Sequence, residues 1–180
     1  MRAIRRPPVL VDGESVDYGF VGDIVSIDTT VIRKELDAGL MPVISPVSAD
    51  DAGVVLNINA DTVAAAIGAA LGAEKLILCT GAPGILERRD DPRSLVSFTD
   101  LAGLKRLEKS GSFEDGMLPK ASAIESAIRG GVRRVHVISY SARDSVLAEV
   151  FTNEGTGTMI VADVKALTPA EQHPEGERKT

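Results

Sequence analysis

Three segments of the sequence hold residues that could bind an anion or move a proton. Asn57-Ile58-Asn59-Ala60-Asp61 places polar side chains directly after a short apolar run. Residues 79–86 form a glycine-rich turn after another apolar run, where the backbone can approach a phosphate or a base. Residues 111–120 are rich in glycine and polar residues and end in Lys120. All three lie where a strand is predicted to end or a helix to begin, the usual place for ligands in open α/β sheets.

Lys120 is the most informative residue of the three segments. Pro119 is typical of the first turn of a helix, so Lys120 is predicted to lie in that turn. The helix dipole disfavours a cation there by about 0.3–1 kcal/mol, and an anion bound at the same end would offset that cost. The alternative is an exposed lysine that tolerates its position, because the cost is small.

Each of the other two segments also has a plain structural interpretation. Asn59 can cap a helix with Asp61 in its first turn, where both residue types are favoured. Residues 79–86 match neither the G-x-x-x-x-G-K-[ST] nor the G-x-G-x-x-G pattern, so they also fit an ordinary turn that begins at a buried Cys79. The local spacing leaves both interpretations open.

Composition argues against several other classes of function. Asp and Glu total 26 against 20 for Lys and Arg, and the net charge of -6 opposes binding to nucleic acid or an anionic membrane. His136, in a predicted strand, and His173, near the C-terminus, are poorly placed for a Ser-His-Asp triad, and no spacing indicates a metal site. One cysteine, no apolar leader and no run of about 18 apolar residues predict a cytoplasmic protein without a membrane span.

Short apolar runs alternate with longer, alanine-rich runs, which predicts alternating strands and helices. The predicted strands are 42–47, 54–58, 75–79, 133–139 and 158–161, and the predicted helices are 60–71, about 100–110, about 119–129 and 142–151. In the last helix we expect Val146, Leu147 and Val150 to face the core. This alternation is typical of a three-layer α/β/α fold with a largely parallel sheet.

Six motifs, in order, resemble the C-terminal, nucleotide-binding part of acetylglutamate kinases, which belong to the amino-acid kinase family. They are Tyr18-Gly19-Phe20-Val21-Gly22-Asp23, Asn57 to Asp61, Ala69-Ala70-Leu71-Gly72-Ala73 with Leu76-Ile77-Leu78, Pro83-Gly84-Ile85-Leu86, Asp115 to Lys120, and Phe151 to Ile160. The resemblance, combined with the composition, divides the chain into an irregular N-terminal arm (1–16), a nucleotide-binding α/β domain (17–163) and a mobile polar tail (164–180).

The resemblance implies transfer of the γ-phosphoryl group of ATP to the side-chain carboxylate of N-acetyl-L-glutamate, a step of arginine biosynthesis. By similarity, Lys120 and Asp61 are catalytic, with Asp61 orienting the lysine, and Asn57 binds the acetylglutamate. The nucleotide would be bound by Gly81, Ala82, Pro83, Gly84, Ile85, Leu86, Ser112, Phe113 and Glu114. Magnesium is expected to arrive with ATP and to be held by its phosphates, so no residue is assigned as a metal ligand.

Glu154 and Gly155 lie in a segment that is similar to the arginine-binding part of feedback-inhibited family members. The resemblance therefore implies a possible arginine effector at these two residues. A plain turn between a helix and a strand is the alternative.

The sequence departs from the family pattern at two places. The family usually carries Asp where this chain has Gly81, and residues 1–16 hold no equivalent of the N-terminal lobe with its second lysine, its Gly-Gly loop and its substrate-binding arginine. Two alternatives therefore stay open: a non-catalytic module that binds nucleotide or arginine, and a related kinase for another acid such as aminoadipate, carbamate or aspartate. The expected protein partners are a second copy of the chain or a separate N-terminal lobe.

Overall fold

Strands and helices alternate along most of the chain, as the sequence predicts. The computed structural model describes residues 1–113, 116–152 and 155–166. Its strands are β1 (Arg2–Arg5), β2 (Val9–Val11), β3 (Glu14–Val16), β4 (Gly22–Ser26), β5 (Val47–Ala49), β6 (Val55–Asn57), β7 (Lys75–Thr80), β8 (Phe98–Asp100), β9 (Arg134–Ser139) and β10 (Thr158–Val161). Its α-helices are α1 (Thr30–Asp37), α2 (Ala60–Leu71), α3 (Leu101–Lys109), α4 (Met117–Arg129) and α5 (Ser145–Phe151), and short 3-10 helices lie at Pro92–Ser94 and Val164–Ala166.

The central element is a four-stranded sheet in the order β7-β9-β10-β8. The β7–β9 and β10–β8 pairs are parallel, and only the β10–β9 pair is antiparallel. Because β7 and β9 run in register from Lys75 and Arg134 to Thr80 and Ser139, their carboxyl ends lie side by side. The predicted α/β fold with a largely parallel sheet and flanking helices is confirmed.

The main hydrophobic core lies between one face of this sheet and helices α2, α3 and α4. Its buried members include Ala65 of α2, Leu104 of α3 and Ile124 of α4, packed against Val135 and Val137 of β9. Neighbouring residues of a strand point to opposite faces, so His136 lies on the other face, where its ring contacts α5. Helices thus flank both faces of the sheet.

Local signals set the two ends of α2 as predicted. The Asn59 side chain accepts a hydrogen bond from the backbone N–H of Thr62 at 3.1 Å, which caps the first turn. Gly72 ends the helix in the left-handed conformation, at φ 67°, where a side chain would be strained. At α3, Asp100 accepts from the N–H of Gly103 at 2.7 Å in the same way.

Residues 1–16 correct one expectation, because they contain three strands and are not an irregular arm. β1 pairs antiparallel with β4, and β2 pairs with β3 as a hairpin. Ala3 is fully buried in a second apolar cluster with Leu56, Ile58 and Val63, which fastens the N-terminal segment to α2. The two domain boundaries stay a prediction, and the predicted tail lies mostly outside the described residues.

Two other expectations about elements were wrong. The strand predicted at 42–47 is displaced, and β5 forms the hairpin with β6 instead. In α5, Val146, Leu147 and Val150 are exposed, whereas Ser145 and Glu149 are buried. The buried side of α5 is polar because Glu149 hydrogen-bonds to His136 and to the turn after the helix. Among the described residues, no helix is long and apolar enough to cross a membrane.

Candidate functional site

A cavity of about 360 Å³ opens beside the carboxyl end of β7. Its walls come from the turn after β7, from the loop between α3 and α4, and from the first turn of α4. The lining residues are Thr80, Gly81, Ala82, Gly84, Ile85, Leu86, Arg89, Ser112, Phe113, Gly116, Met117 and Lys120. Ligand sites of this size are common at the carboxyl ends of strands in α/β proteins.

Lys120 and Asp61 form a hydrogen-bonded ion pair at this cavity. The Lys120 ammonium donates to both carboxylate oxygens of Asp61, at 2.9 and 2.8 Å, and Lys120 is only 7% exposed. The two residues meet because each lies in the first turn of its helix, and α2 packs against α4. The resemblance implied that Asp61 orients Lys120, and the structure brings the two side chains together. A bound anion at this end of α4 stays a prediction.

The pair leaves one donor of Lys120 available to a ligand. An ammonium group has three N–H donors, and two of them go to Asp61. Within the described ranges the Lys120 side chain has no other hydrogen-bond partner, and it lines the cavity. Asp61 therefore orients a buried cation whose remaining donor is suited to an anionic oxygen.

The glycine-rich turn is held tightly against the sheet. Ile85 donates its backbone N–H to the buried Thr158 hydroxyl at 2.8 Å. A Cβ on Gly84 would lie 2.7 Å from the Thr158 Oγ1, so a side chain there would push the turn away from β10. Ser112 donates its hydroxyl to the carbonyl of Glu87 at 2.7 Å and connects the loop before α4 to this turn. The two walls of the cavity are thereby fixed relative to each other.

Most of the residues predicted to bind nucleotide line this cavity. The predicted site residues that line it are Gly81, Ala82, Gly84, Ile85, Leu86, Ser112, Phe113 and Lys120. Pro83 and Asn57 do not line it, and Asp61 is joined to it through Lys120. Asn57 ends β6, where its N–H donates to the carbonyl of Phe20 at 2.8 Å. Glu114 lies outside the described residues. Their assigned roles remain predictions.

Arg89 is a lining residue that the sequence analysis missed. It is the second cation among the described lining residues, and it follows the glycine-rich turn by three residues. The Arg88-Arg89 pair carries no periodic or spacing signal, so nothing local separates it from an ordinary solvated surface. Its proximity to Lys120 depends on how the turn folds back over the cavity.

The lining residues fit a nucleotide polyanion better than a protein-bound metal ion. Two cations, small residues that expose backbone, and Phe113 together offer charge, N–H donors and an apolar surface. None of the described lining residues is a carboxylate, and the described residues contain no cluster of three or more potential metal-ligating side chains. Magnesium bound here would depend mainly on phosphate oxygens and water.

A second buried polar cluster lies on the opposite face of the sheet. His136 Nδ1 and Glu149 Oε1 are 2.5 Å apart, and Glu149 Oε2 accepts from the backbone N–H of Thr156 at 2.6 Å. Burial lowers the pKa of His136 more than the neighbouring carboxylate raises it. Burial raises the pKa of Glu149, but the donors from Thr156 and His136 outweigh it, so the pKa lies below its usual value.

Gly155 borders this cluster. A Cβ on it would lie 3.8 Å from a Glu149 carboxylate oxygen, so the second predicted ligand site is adjacent to the polar contacts of α5. Glu154 lies outside the described residues. Arginine binding at these two residues stays a prediction.

Comparisons with known proteins agree with the fold and the motifs. The profile of the amino acid kinase family matches residues 1–139. The chain is 47% identical over 176 residues to the acetylglutamate kinase of Myxococcus xanthus, covering 94% of this chain and 57% of that protein. It is 46% identical over 145 residues to the acetylglutamate kinase of Archaeoglobus fulgidus, covering 81% of this chain and 50% of that protein.

A solved structure supports the same relationship. N-acetylglutamate synthase from Neisseria gonorrhoeae, crystallised with coenzyme A and L-arginine, matches with a TM-score of 0.79 and 29% identity, covering 90% of this chain and 36% of that one. The chain spans about half the length of the curated relatives it matches. The resemblance to acetylglutamate kinases is confirmed, and the chain belongs to the amino acid kinase family.

Proposed function

We propose that this chain provides the nucleotide-binding part of a kinase that phosphorylates the side-chain carboxylate of N-acetyl-L-glutamate in arginine biosynthesis. The observation that carries the proposal is the buried Lys120, which Asp61 holds while one donor remains for an anion in the cavity. The names of the relatives, acetylglutamate kinases, supply the acceptor. The phosphoryl donor that we propose for such a kinase is ATP with Mg²⁺. Cytoplasmic localisation is part of the same proposal.

These residues would promote the reaction mainly by positioning the reactants and by supplying positive charge. Transfer of a γ-phosphoryl group spreads negative charge over its oxygens, and a preorganised cation stabilises that charge. Lys120 would supply the cation, and Asp61 would keep its side chain from moving as charge develops. The backbone of residues 81–86 and the Ser112-Phe113 loop would hold the nucleotide, and Asn57 would bind the acceptor.

Calorimetric titration with MgADP tests the nucleotide site. Lys120→Met retains the apolar stem and removes the charge, so we expect its Kd to rise about 10- to 100-fold, which corresponds to the loss of one hydrogen bond to a charged group. Lys105→Met is the matched control, because Lys105 lies in an exposed ion pair with Glu125. Adenosine distinguishes the source of the effect, since without phosphates both variants should bind it as the wild type does.

Arg89 is expected to have a smaller effect at the same site. Arg89→Gln removes a cation at the exposed rim of the cavity, where solvent screens charge, so the Kd for MgADP should rise about threefold. Arg88→Gln is the neighbouring control, because Arg88 is paired with Asp91 and does not line the cavity. Equal affinity in Lys120→Met and the folded wild type, or no binding by that wild type, would contradict the proposed site.

The acceptor is tested separately, by trapping an acyl phosphate with hydroxylamine in the presence of MgATP and a candidate acid. Hydroxamate formed with N-acetyl-L-glutamate, and lost in Asn57→Ala, is the expected result. Product only with aminoadipate, carbamate or aspartate would assign a related kinase. Turnover only after addition of a separate N-terminal lobe would identify the partner that the resemblance implies.

A second candidate function is arginine binding near Gly155. The observation that favours it is the related synthase, whose structure was solved with L-arginine. Titration with L-arginine, using Gly155→Ala as the variant, tests it independently of nucleotide. Gly155 has a φ of 58°, so this variant is expected to distort the turn as well, and its fold must be checked by circular dichroism.

A further inference from the structure

Tyr140 follows β9 directly and lies next to Gly81 of the glycine-rich turn. β7 and β9 are parallel neighbours whose last residues, Thr80 and Ser139, are paired. The backbone N–H of Tyr140 donates to the carbonyl of Thr80 at 2.9 Å, which continues the ladder one residue past the strand. Tyr140 and Gly81 are therefore held together at the edge of the sheet where the cavity opens.

The phenol tip of Tyr140 lies close to the position that a side chain at residue 81 would take. A Cβ built on Gly81 would lie 3.1 Å from the Tyr140 hydroxyl oxygen and 3.6 Å from its Cζ. Gly81 lines the cavity and Tyr140 does not, so this hydroxyl lies directly beside a lining residue. Within residues 1–113, 116–152 and 155–166 it has no hydrogen-bond partner, and Tyr140 is 70% exposed. The hydroxyl is free to contact a ligand.

We infer that Tyr140 is a nucleotide-binding residue whose hydroxyl contacts a polar atom of the bound nucleotide beside Gly81. This inference rests on the proposed function. A tyrosine hydroxyl can donate and accept one hydrogen bond each way, so it suits a ribose hydroxyl, a base nitrogen or a phosphate oxygen. Glycine at residue 81 leaves room for it, because any Cβ there would displace the phenol tip by a few tenths of an ångström.

Tyr140 and Gly81 therefore act as a unit, and the effects of their substitutions on the Kd for MgADP should not be additive. Tyr140→Phe removes only the hydroxyl, and the Kd for MgADP should rise about 3- to 10-fold. Gly81→Ala should raise the Kd similarly, because it moves the same hydroxyl. When Gly81→Ala is added to Tyr140→Phe, the Kd should not rise further, since the hydroxyl that the new Cβ would displace is already absent. Tyr18→Phe is the control, because Tyr18 is the other tyrosine of the sequence and lies between β3 and β4, not next to Gly81.

Ring-labelled tyrosine gives a second readout that does not depend on affinity. The sequence contains two tyrosines, so the labelled protein gives two sets of ring signals, which Tyr18→Phe assigns. MgADP should shift the Tyr140 signals and leave those of Tyr18 unchanged. Repeating both measurements with adenosine locates the contact: an effect retained with adenosine places it on the nucleoside, and an effect lost places it on the phosphates.

Each outcome separates this inference from the proposed function. If the wild type binds MgADP and Tyr140→Phe binds it equally, the inference is overturned while the nucleotide site stands. An equal loss in Tyr18→Phe overturns it as well, because removal of a phenol hydroxyl then acts through the fold. If the folded wild type binds no MgADP and neither ring signal shifts, the proposed function fails, and this inference fails with it.

Discussion

Helices α4 and α5 each bury a charged side chain, but in opposite surroundings. In α4, Lys120 is followed by an apolar buried side that includes Ile124, Ala127 and Ile128. In α5 the buried residues are Ser145 and Glu149, and the apolar residues Val146, Leu147, Val150 and Phe151 are exposed. One helix is fixed by apolar packing and the other by polar contacts.

The two buried pairs, Lys120–Asp61 and His136–Glu149, differ in the same way. Lys120 uses two of its donors on Asp61 and faces a cavity with the third, whereas both oxygens of Glu149 are occupied by protein donors from His136 and Thr156. The first pair leaves one donor facing the cavity, and the second connects a strand, a helix and a turn. Burial of a charge alone therefore does not indicate a ligand site, whereas a buried donor that also faces a cavity favours one.

The largest loss of stability is expected from Glu149→Ala. It removes the acceptor of both the Thr156 N–H and the His136 ring. Each donor left unsatisfied costs about 1–3 kcal/mol, so the free energy of unfolding should fall by about 2–6 kcal/mol. Glu149→Gln should recover part of this, because its amide oxygen can still accept from Thr156. Urea denaturation measures both values.

Loss of the Lys120–Asp61 pair, which opens onto the cavity, is expected to lower the free energy of unfolding by a smaller amount. The Asp61 side chain is 23% exposed, so after Lys120→Met its carboxylate can still reach water. The loss of stability should therefore be smaller than for Glu149→Ala. Glu125→Ala, in an exposed cluster with Lys105 and Arg129, provides the baseline. A larger loss of stability for Lys120→Met than for Glu149→Ala would contradict the distinction between the Lys120–Asp61 pair, which opens onto the cavity, and the enclosed His136–Glu149 pair.

Apolar truncations compare the two helices directly. Ile124 is fully buried, so Ile124→Ala should lower the free energy of unfolding by about 2–5 kcal/mol. Leu147 is exposed on α5, so Leu147→Ala should stay within about 0.5 kcal/mol of the wild type. Chemical denaturation of the two variants side by side measures both. A loss for Leu147→Ala as large as for Ile124→Ala would show that the outer side of α5 is covered in solution.

The parts of the fold that the sequence predicts well are those with local signals. Helix α2 was predicted to the residue, because Asn59 caps it and Gly72 stops it. Strand β1 was missed because its partner, β4, is distant in the sequence and only Ala3 of β1 is buried. The inward side of α5 was wrong because its polar burial depends on His136, a residue of another element.

The candidate site follows the same division. Lys120, Asp61 and the turn from Gly81 to Leu86 lie at predicted ends of strands and helices, so their positions could be inferred from the chain. Arg89 and Tyr140 could not, because their places depend on how the turn folds and on which strands are neighbours in the sheet. β7 and β9 are far apart in the sequence, so no local motif predicts that they pair.

The smallest expected effect is a change in how stability depends on pH, and it comes from the His136–Glu149 pair. The pKa of His136 is lowered by burial, so the folded state resists protonating it. Its contribution to stability is complete above the ordinary histidine value of 6.5 and is lost as pH falls through the lower folded pKa. Glu149, whose pKa is also lowered, adds a further loss below 4.5.

His136→Asn isolates the histidine part of this dependence. The asparagine amide can donate to Glu149 from nearly the same position as Nδ1, but it does not titrate. A protonated His136 would also place a charged N–H at Nε2, which is buried and has no partner among the described residues. We therefore expect urea midpoints of the wild type to fall between pH 6.5 and 4.5 more steeply than those of His136→Asn. His173→Asn, which alters the other histidine, should retain the wild-type slope of urea midpoint against pH. Identical slopes in all three proteins would show that His136 does not contribute to the acid sensitivity.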